Sequence, residues 1–199
     1  VEIDYAGSGI LISKLKIQKS GDLFMPGEEE YVEMARREGL IESVKPVFRW
    51  NPVILVKKGN PKGIRSLEHL AWPGIRLGLG NPDMCVIGVT SMKIFEKNGI
   101  PRDKIDDNLV FSAATVNELG VQIKTGDIDA AIIWDALAHY YADCSDAIEI
   151  PPEKNVPSRV AVGLLKSSKQ PELAGRFIDF MTGEKGRAIF EKYRYQPAQ

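Results

Sequence analysis

Histidine and cysteine are scarce: the 199 residues contain two of each. His69 and His139 lie far apart, and no GxSxG, P-loop, GxGxxG or HExxH pattern occurs. No acid/base pair or metal-ligand spacing emerges, so the expectation is a protein without catalytic residues, resident metal or cofactor. Charge excess is also missing. Lys plus Arg number 26 against 27 Asp plus Glu, a formal net charge of -1, which excludes the basic surface that nucleic-acid binding needs. No apolar run approaches the ~20 residues that span a bilayer. The chain opens at Val1 with the strand-like VEIDY, so the sequence itself does not record export. Cys85 and Cys144 have no metal-type spacing, and nothing in the sequence argues for a disulfide between them.

What is present is an alternation of strands and helices, the pattern of a mainly parallel sheet covered by helices. VEIDYA reads as a strand ending at Gly7-Ser8-Gly9, with a short helix through Leu15. Leu23 to Met25 reads as a strand stopped by Pro26-Gly27, and Glu28 to Glu38 as a helix with acidic residues on its first turn and Gly39 after its end. Strands are predicted at Pro52 to Lys58, Ile75 to Leu79, Leu109 to Ser112, Ile128 to Trp134 and Arg159 to Leu165. Between them, Ser66 caps a short helix through Leu70, and a longer helix runs from Gly88 to Asn98. Another starts at Thr115, with Glu118 three residues on as a capping box. Two C-terminal helices follow, the first with Pro171 at N1 and the second capped by Thr182.

Three places join a strand end to a helix start through small or flexible residues: Ala6 to Gly9, Asn81 to Gly88, and Ala113 to Val116. In open α/β sheets ligands collect at the carboxyl ends of strands, where first-turn N–H groups bind anions without any formal charge. Cys85 precedes a helix start, a place that can lower a thiol pKa, but has no histidine partner; it reads as a small loop residue or one near a ligand. Taken alone, these residues indicate an α/β protein with anion-friendly loops.

DYAGSG, GDLFMPGEEEYVEMARREGLI, NPVILVKKGNPKGIRSLEHLAWPGIRLGLGNP, TGDIDAAIIWDA and KQPELAGRFIDFMTGEKGRAIFEKYRY follow one another in order. Over essentially the whole chain they resemble the molybdate-binding proteins of ABC importers. The resemblance implies a two-lobed type II periplasmic-binding-protein fold, each lobe a mainly parallel sheet flanked by helices. Lobe I would comprise 1–51 plus 168–199 and lobe II 52–167, with crossings near Asn51-Pro52 and around PPEKNVP or Lys166 to Lys169. It implies a periplasmic or extracytoplasmic protein that closes on a small oxyanion, molybdate or tungstate, in the interlobe cleft and is met by a membrane permease.

By position, Ser8 with Gly9 matches the family's serine turn, Ile87 the amide of its second loop with Cys85 beside it, Val116 the amide at a helix start, and Trp134 a tyrosine that ends a strand. Val86 and Ile87 replace a proline and an alanine, and Trp134 offers an indole N–H in place of a phenol. The family's first strand, serine loop and helix have no counterpart before VEIDYA. The expected first lobe therefore lacks its first strand and helix and has an open sheet edge, on which a homodimer would form. Asp135 is the one carboxylate beside the site that would support phosphate. Two rivals share the fold: a ferric-ion binder using His139, Tyr140 and Tyr141, and the effector-sensing domain of a transcription regulator.

Overall fold

A computed structural model describes residues 1–198. In chain order the elements are α1 (Ser8–Gln18), β1 (Leu23–Phe24), α2 (Glu29–Arg37), β2 (Ile41–Trp50), β3 (Pro52–Lys57), β4 (Leu77–Gly80), α3 (Val86–Lys97), α4 (Arg102–Asn108) and β5 (Leu109–Ala113). They continue with α5 (Val116–Thr125), β6 (Ala130–Trp134), α6 (Asp135–Ala138), β7 (Ser145–Glu149), β8 (Ser158–Leu165), α7 (Pro171–Thr182), α8 (Glu184–Lys192) and β9 (Gln196–Pro197). The chain divides into two compact units, the first formed by residues 1–50 and those from Ser158 onward, the second by Asn51–Pro157.

The first unit is built on a sheet of order β1-β8-β2-β9 in which every pair is antiparallel. The expected parallel sheet is therefore corrected here. β2 carries the chain out of this unit and β8 carries it back, so the two run in opposite directions along eight paired positions, from Ile41↔Leu165 to Trp50↔Ser158. The same pairing places residues 158–167 with the first unit rather than the second. Pro46, which lacks an N–H for the ladder, sits at one of the two register shifts in this pair, where a bulge tolerates it.

Helices cover both faces. Ile12 and Leu15 of α1 and Val32 and Ala35 of α2 bury against Ile41 and Ala161 on one side. Ala174, Ile178 and Met181 of α7 bury against Phe48 and Val160 on the other. VEIDYA forms no strand. Its apolar residues alternate correctly, but no strand of the sheet pairs with it, and Val1, Ile3 and Tyr5 are exposed. The second of the C-terminal helices is capped by Gly183, while the Thr182 hydroxyl donates to the Ile178 carbonyl at 2.9 Å.

The second unit has a mixed sheet of order β5-β4-β6-β3-β7. β5, β4 and β6 are mutually parallel, and β3 pairs antiparallel with β6 and β7. Every residue of β6, AAIIW, is buried. Small side chains at Ala130 and Ala131 let β6 lie in the middle of the sheet with α3 and α5 packed on it.

The motifs that carry the family pattern hold this unit together. In KGNP, the Asn60 side chain donates to the Ile64 carbonyl at 2.6 Å and accepts the Ile64 N–H at 3.0 Å. In GDIDA, Asp129 accepts from the Arg76 N–H at 3.0 Å and from its guanidinium at 2.8 Å, fastening the amino ends of β4 and β6. Burial alone pushes the Asp129 carboxyl up. Hydrogen bonds and charge from Arg76, with Lys62 nearby, outweigh that and hold it below its ordinary value. A carboxylate with a lowered folded pKa stabilises above the unfolded value, and that stability is lost as pH falls through the folded one. Asp129→Asn is expected to cost about 2 kcal/mol at pH 7, the penalty for breaking a buried pair discounted for the half-exposed Arg76. It should also flatten the acid limb of stability below about pH 4; urea melts across that range measure both.

Candidate functional site

Strand direction in the second unit decides where its polar ends meet. Because β5, β4 and β6 run parallel, their carboxyl ends lie on one edge. Gly80 pairs with Ala113 across β4 and β5, and the Asn81 N–H donates to the Ala113 carbonyl at 2.7 Å, so the chain leaves both strands side by side. From β4 it enters α3, from β5 it enters α5, and from β6 it passes through Trp134 into α6. The junctions at Cys85–Ile87, Val116 and Trp134 are therefore neighbours. Ser8 and Gly9 belong to the first unit, as the first two residues of α1.

At the α3 junction, Cys85 is the N-cap residue and its N–H donates to the Asn81 carbonyl at 2.7 Å. Val86 and Ile87 occupy the first turn, where N–H groups have no carbonyl acceptor within the helix. The Ile87 side chain is fully buried, so this residue faces any ligand through its amide alone. Gly88 explains how the helix end comes so close to the strand. A Cβ on Gly88 would lie 2.2 Å from the Gly80 carbonyl oxygen, and one on Gly80 would lie 2.8 Å from the Gly88 nitrogen. Backbone packs directly on backbone, which no other residue type allows. Cys85 and Cys144 are both thiols, with no disulfide between them.

At the α5 junction the capping box takes a variant form. The Thr115 hydroxyl donates to Glu118 Oε1 at 2.8 Å, and the Ala114 N–H donates to Glu118 Oε2 at 3.2 Å. The carboxylate thus folds back over the start of the helix beside Val116. Spacing identified the Thr115/Glu118 pair as a cap, but not that it brings a negative charge to this edge.

Trp134 is buried at the end of β6. The next residue, Asp135, is engaged elsewhere than expected. Its Oδ1 accepts the Asn51 N–H at 3.1 Å and its Oδ2 accepts from the Asn51 side-chain amide at 3.0 Å. Its own N–H donates to the Asn51 carbonyl at 2.8 Å. Both carboxylate oxygens hold the first residue after the crossing from β2. In the first unit, the Ser8 hydroxyl oxygen accepts the Gly27 N–H at 3.1 Å, which orients the side chain and directs its single O–H elsewhere for donation.

The tyrosine pair of the ferric-ion rival is arranged differently. The Tyr141 hydroxyl donates to the Asn117 carbonyl at 3.0 Å, its ring lies on Gly120 of α5, and burial pushes its phenol up, away from the phenolate a ferric ion would need. Tyr140 is exposed. Among the described residues no group of three His, Cys, Asp or Glu could hold a metal ion, and no helix is long and apolar enough to cross a membrane.

Two α/β units joined by two crossings, with helix starts collected at the carboxyl ends of three parallel strands, have the architecture of the type II periplasmic-binding fold. The chain belongs to the bacterial extracellular solute-binding protein family, whose model matches residues 1–196. It is 32% identical over 200 residues to a putative binding protein of Haemophilus influenzae, covering 100% of this chain and 80% of that one. It is 26% identical over 193 residues to the molybdate-binding protein ModA of Mycobacterium tuberculosis, covering 96% of this chain and 72% of that one. In fold it is similar to the periplasmic molybdate-binding protein of Azotobacter vinelandii, with a TM-score of 0.82 at 19% identity over 99% of this chain and 87% of that one. The family is one of binding proteins rather than enzymes.

Proposed function

We propose that this chain is the solute-binding component of an ABC importer, extracytoplasmic in location, and that it binds a small tetrahedral oxyanion, with molybdate or tungstate as the first candidates. One observation carries the reading: the amides of Ile87 and Val116 start two helices on the shared carboxyl edge of β4 and β5. First-turn N–H groups with a helix dipole behind them bind an anion without a formal positive charge. Each such bond is charge-assisted and roughly twice as strong as a neutral one. The positions that match the family's serine turn, Ser8 and Gly9, are assigned as further donors on the strength of that resemblance, and the Ser8 oxygen accepts the Gly27 N–H, which leaves its O–H for donation. The relatives named for molybdate support the choice of ligand.

Calorimetric titration with molybdate, tungstate, sulfate and phosphate tests the reading: saturable binding of at least one is expected, and no heat with any of the four defeats it. Ser8→Ala removes one donor to a charged ligand, a contact worth about 1.5–3 kcal/mol, so affinity should fall about 10- to 100-fold.

A further inference from the structure

We propose that Asn98-Gly99, at the end of α3, is a modification site guarded by the fold, and that its deamidation unlatches residues 151–157, the segment by which the chain leaves the second unit. The inference is independent of the oxyanion reading and goes beyond it. Three observations carry it. Asparagine is thermolabile, and a following glycine, with no Cβ, leaves the next peptide nitrogen unhindered; this is the one Asn-Gly pair in the chain. The Asn98 side-chain amide is also a latch. Its Nδ2 donates to the Ile94 carbonyl at 2.7 Å, within α3, and to the Lys154 carbonyl at 2.8 Å, in residues 151–157. Finally, the Gly99 N–H donates to the Glu96 carbonyl at 3.1 Å, so the attacking nitrogen and the leaving amide are both held in the folded chain, although Gly99 itself is exposed to water.

Once the latch opens, the Gly99 nitrogen loses its proton and attacks the Asn98 Cγ. A C–N bond forms and closes a succinimide ring, the Cγ–Nδ2 bond breaks, and the side-chain amide takes up a proton and leaves as ammonia. Water then adds to the ring and breaks one of its two C–N bonds, giving aspartate or its isoaspartyl isomer; no oxidant or reductant takes part. The aspartate carboxylate has acceptors only. It faces the Ile94 and Lys154 carbonyls, which are acceptors too, so the latch cannot re-form. The neighbouring cation does not compensate, because the Lys97 Nζ already donates to the Asn155 carbonyl at 2.8 Å. A closed latch thus protects the site, and a converted site keeps the latch open.

Mass-spectrometric peptide mapping of the whole chain, incubated at mildly alkaline pH both folded and in urea, reads the guard. Conversion at Asn98 is expected to be at least about tenfold faster in urea. Equal rates, or no conversion in urea, overturn the proposal. Amide exchange of the folded Asn98→Asp variant reads the latch. The Lys154 and Asn155 N–H groups both donate to the Pro151 carbonyl, and their protection should fall about 30-fold, the equivalent of two lost hydrogen bonds. Protection at Ile132, inside β6, should stay as in wild type. Unchanged exchange at Lys154 overturns the proposal. A thermal melt is the control for folding. Should Asn98→Asp melt markedly lower, Asn98→Ala, which removes both donors without adding a charge, takes its place: faster exchange at Lys154 supports the latch, and unaltered exchange overturns it.

Discussion

Gly88→Ala is expected to lower stability by about 3 kcal/mol and to weaken anion binding about a hundredfold. Two effects of the substitution oppose each other. Alanine is the better helix former by up to about 1 kcal/mol, so on propensity alone the change would stabilise α3. The added Cβ, however, would lie 2.2 Å from the Gly80 carbonyl oxygen and 2.8 Å from the carbonyl carbon of Asn81. Both are backbone atoms at a strand end, so neither can step aside as a side-chain tip would. The clash wins, and the first turn of α3 must move away from β4, taking the Ile87 amide with it. Charge-assisted contacts of about 1.5–3 kcal/mol each are lost with that movement, hence the hundredfold estimate. Gly175 in α7 is the internal control, since nothing lies within 4 Å of the position its Cβ would take. Gly175→Ala should stabilise by about 0.5–1 kcal/mol. Urea denaturation of the two variants in parallel reads both numbers, and equal effects at the two sites would refute the backbone-contact account.

The elements that sequence reasoning located best are those whose pattern and punctuation agree. PVILVK, LGLG and AAIIW are short apolar runs with Gly, Asn, Asp or Pro close by on the chain, and all three are strands of the second unit. β2 escaped notice because Lys45, Pro46 and Glu42 break any alternation; it is a strand because β8 lies beside it, a fact recorded more than a hundred residues away. VEIDYA shows the converse, a correct alternation with no neighbour to complete its hydrogen bonds. The candidate junctions were visible for the same reason as the strands, since glycine and small polar residues mark where a strand hands over to a helix. The direction of a carboxylate was not visible. Glu118 and Asp135 have similar chemistry and each sits near a junction, yet one turns back over the helix start and the other toward Asn51. Spacing says which residues are near in the chain; only the backbone path says which way a side chain can reach. The motifs that made the family recognisable, KGNP and GDIDA, hold turns and strand starts, so they report the fold of the second unit and say little about its ligand.

Asp135→Ala should loosen the point where the chain enters the second unit and, through it, the end of β6. Asp135 makes three contacts with Asn51: two through its carboxylate, at 3.1 and 3.0 Å, and one from its own N–H at 2.8 Å. Asn51 follows directly on the last residue of β2, and Pro52 begins β3. The other crossing is fastened within the same unit. The buried side chain of Asn155 donates to the Pro52 carbonyl at 2.9 Å, and Lys97 at the far end of α3 donates to the Asn155 carbonyl at 2.8 Å. Both crossing segments are thus tied to elements that begin or end at the candidate site, the first to the residue after Trp134 and the second to the helix that starts at Val86. Such ties fasten both crossing segments to strands and helices of the second unit itself. Removing the Asp135 carboxylate leaves the Asn51 N–H and side-chain amide without these acceptors, at a cost of about 2–3 kcal/mol for hydrogen bonds to a charged group. Amide exchange at Asn51 and Val53 should quicken by a comparable factor, about 30- to 100-fold. Anion affinity should fall about tenfold, because Trp134 is held only as firmly as the residue after it. Asp135→Asn, which keeps one acceptor oxygen, should lie between wild type and alanine on both measures. Unaltered exchange at Asn51 in the alanine variant would mean that the backbone pairing of β3 with β6 alone fixes this crossing, and that the carboxylate contributes nothing to it.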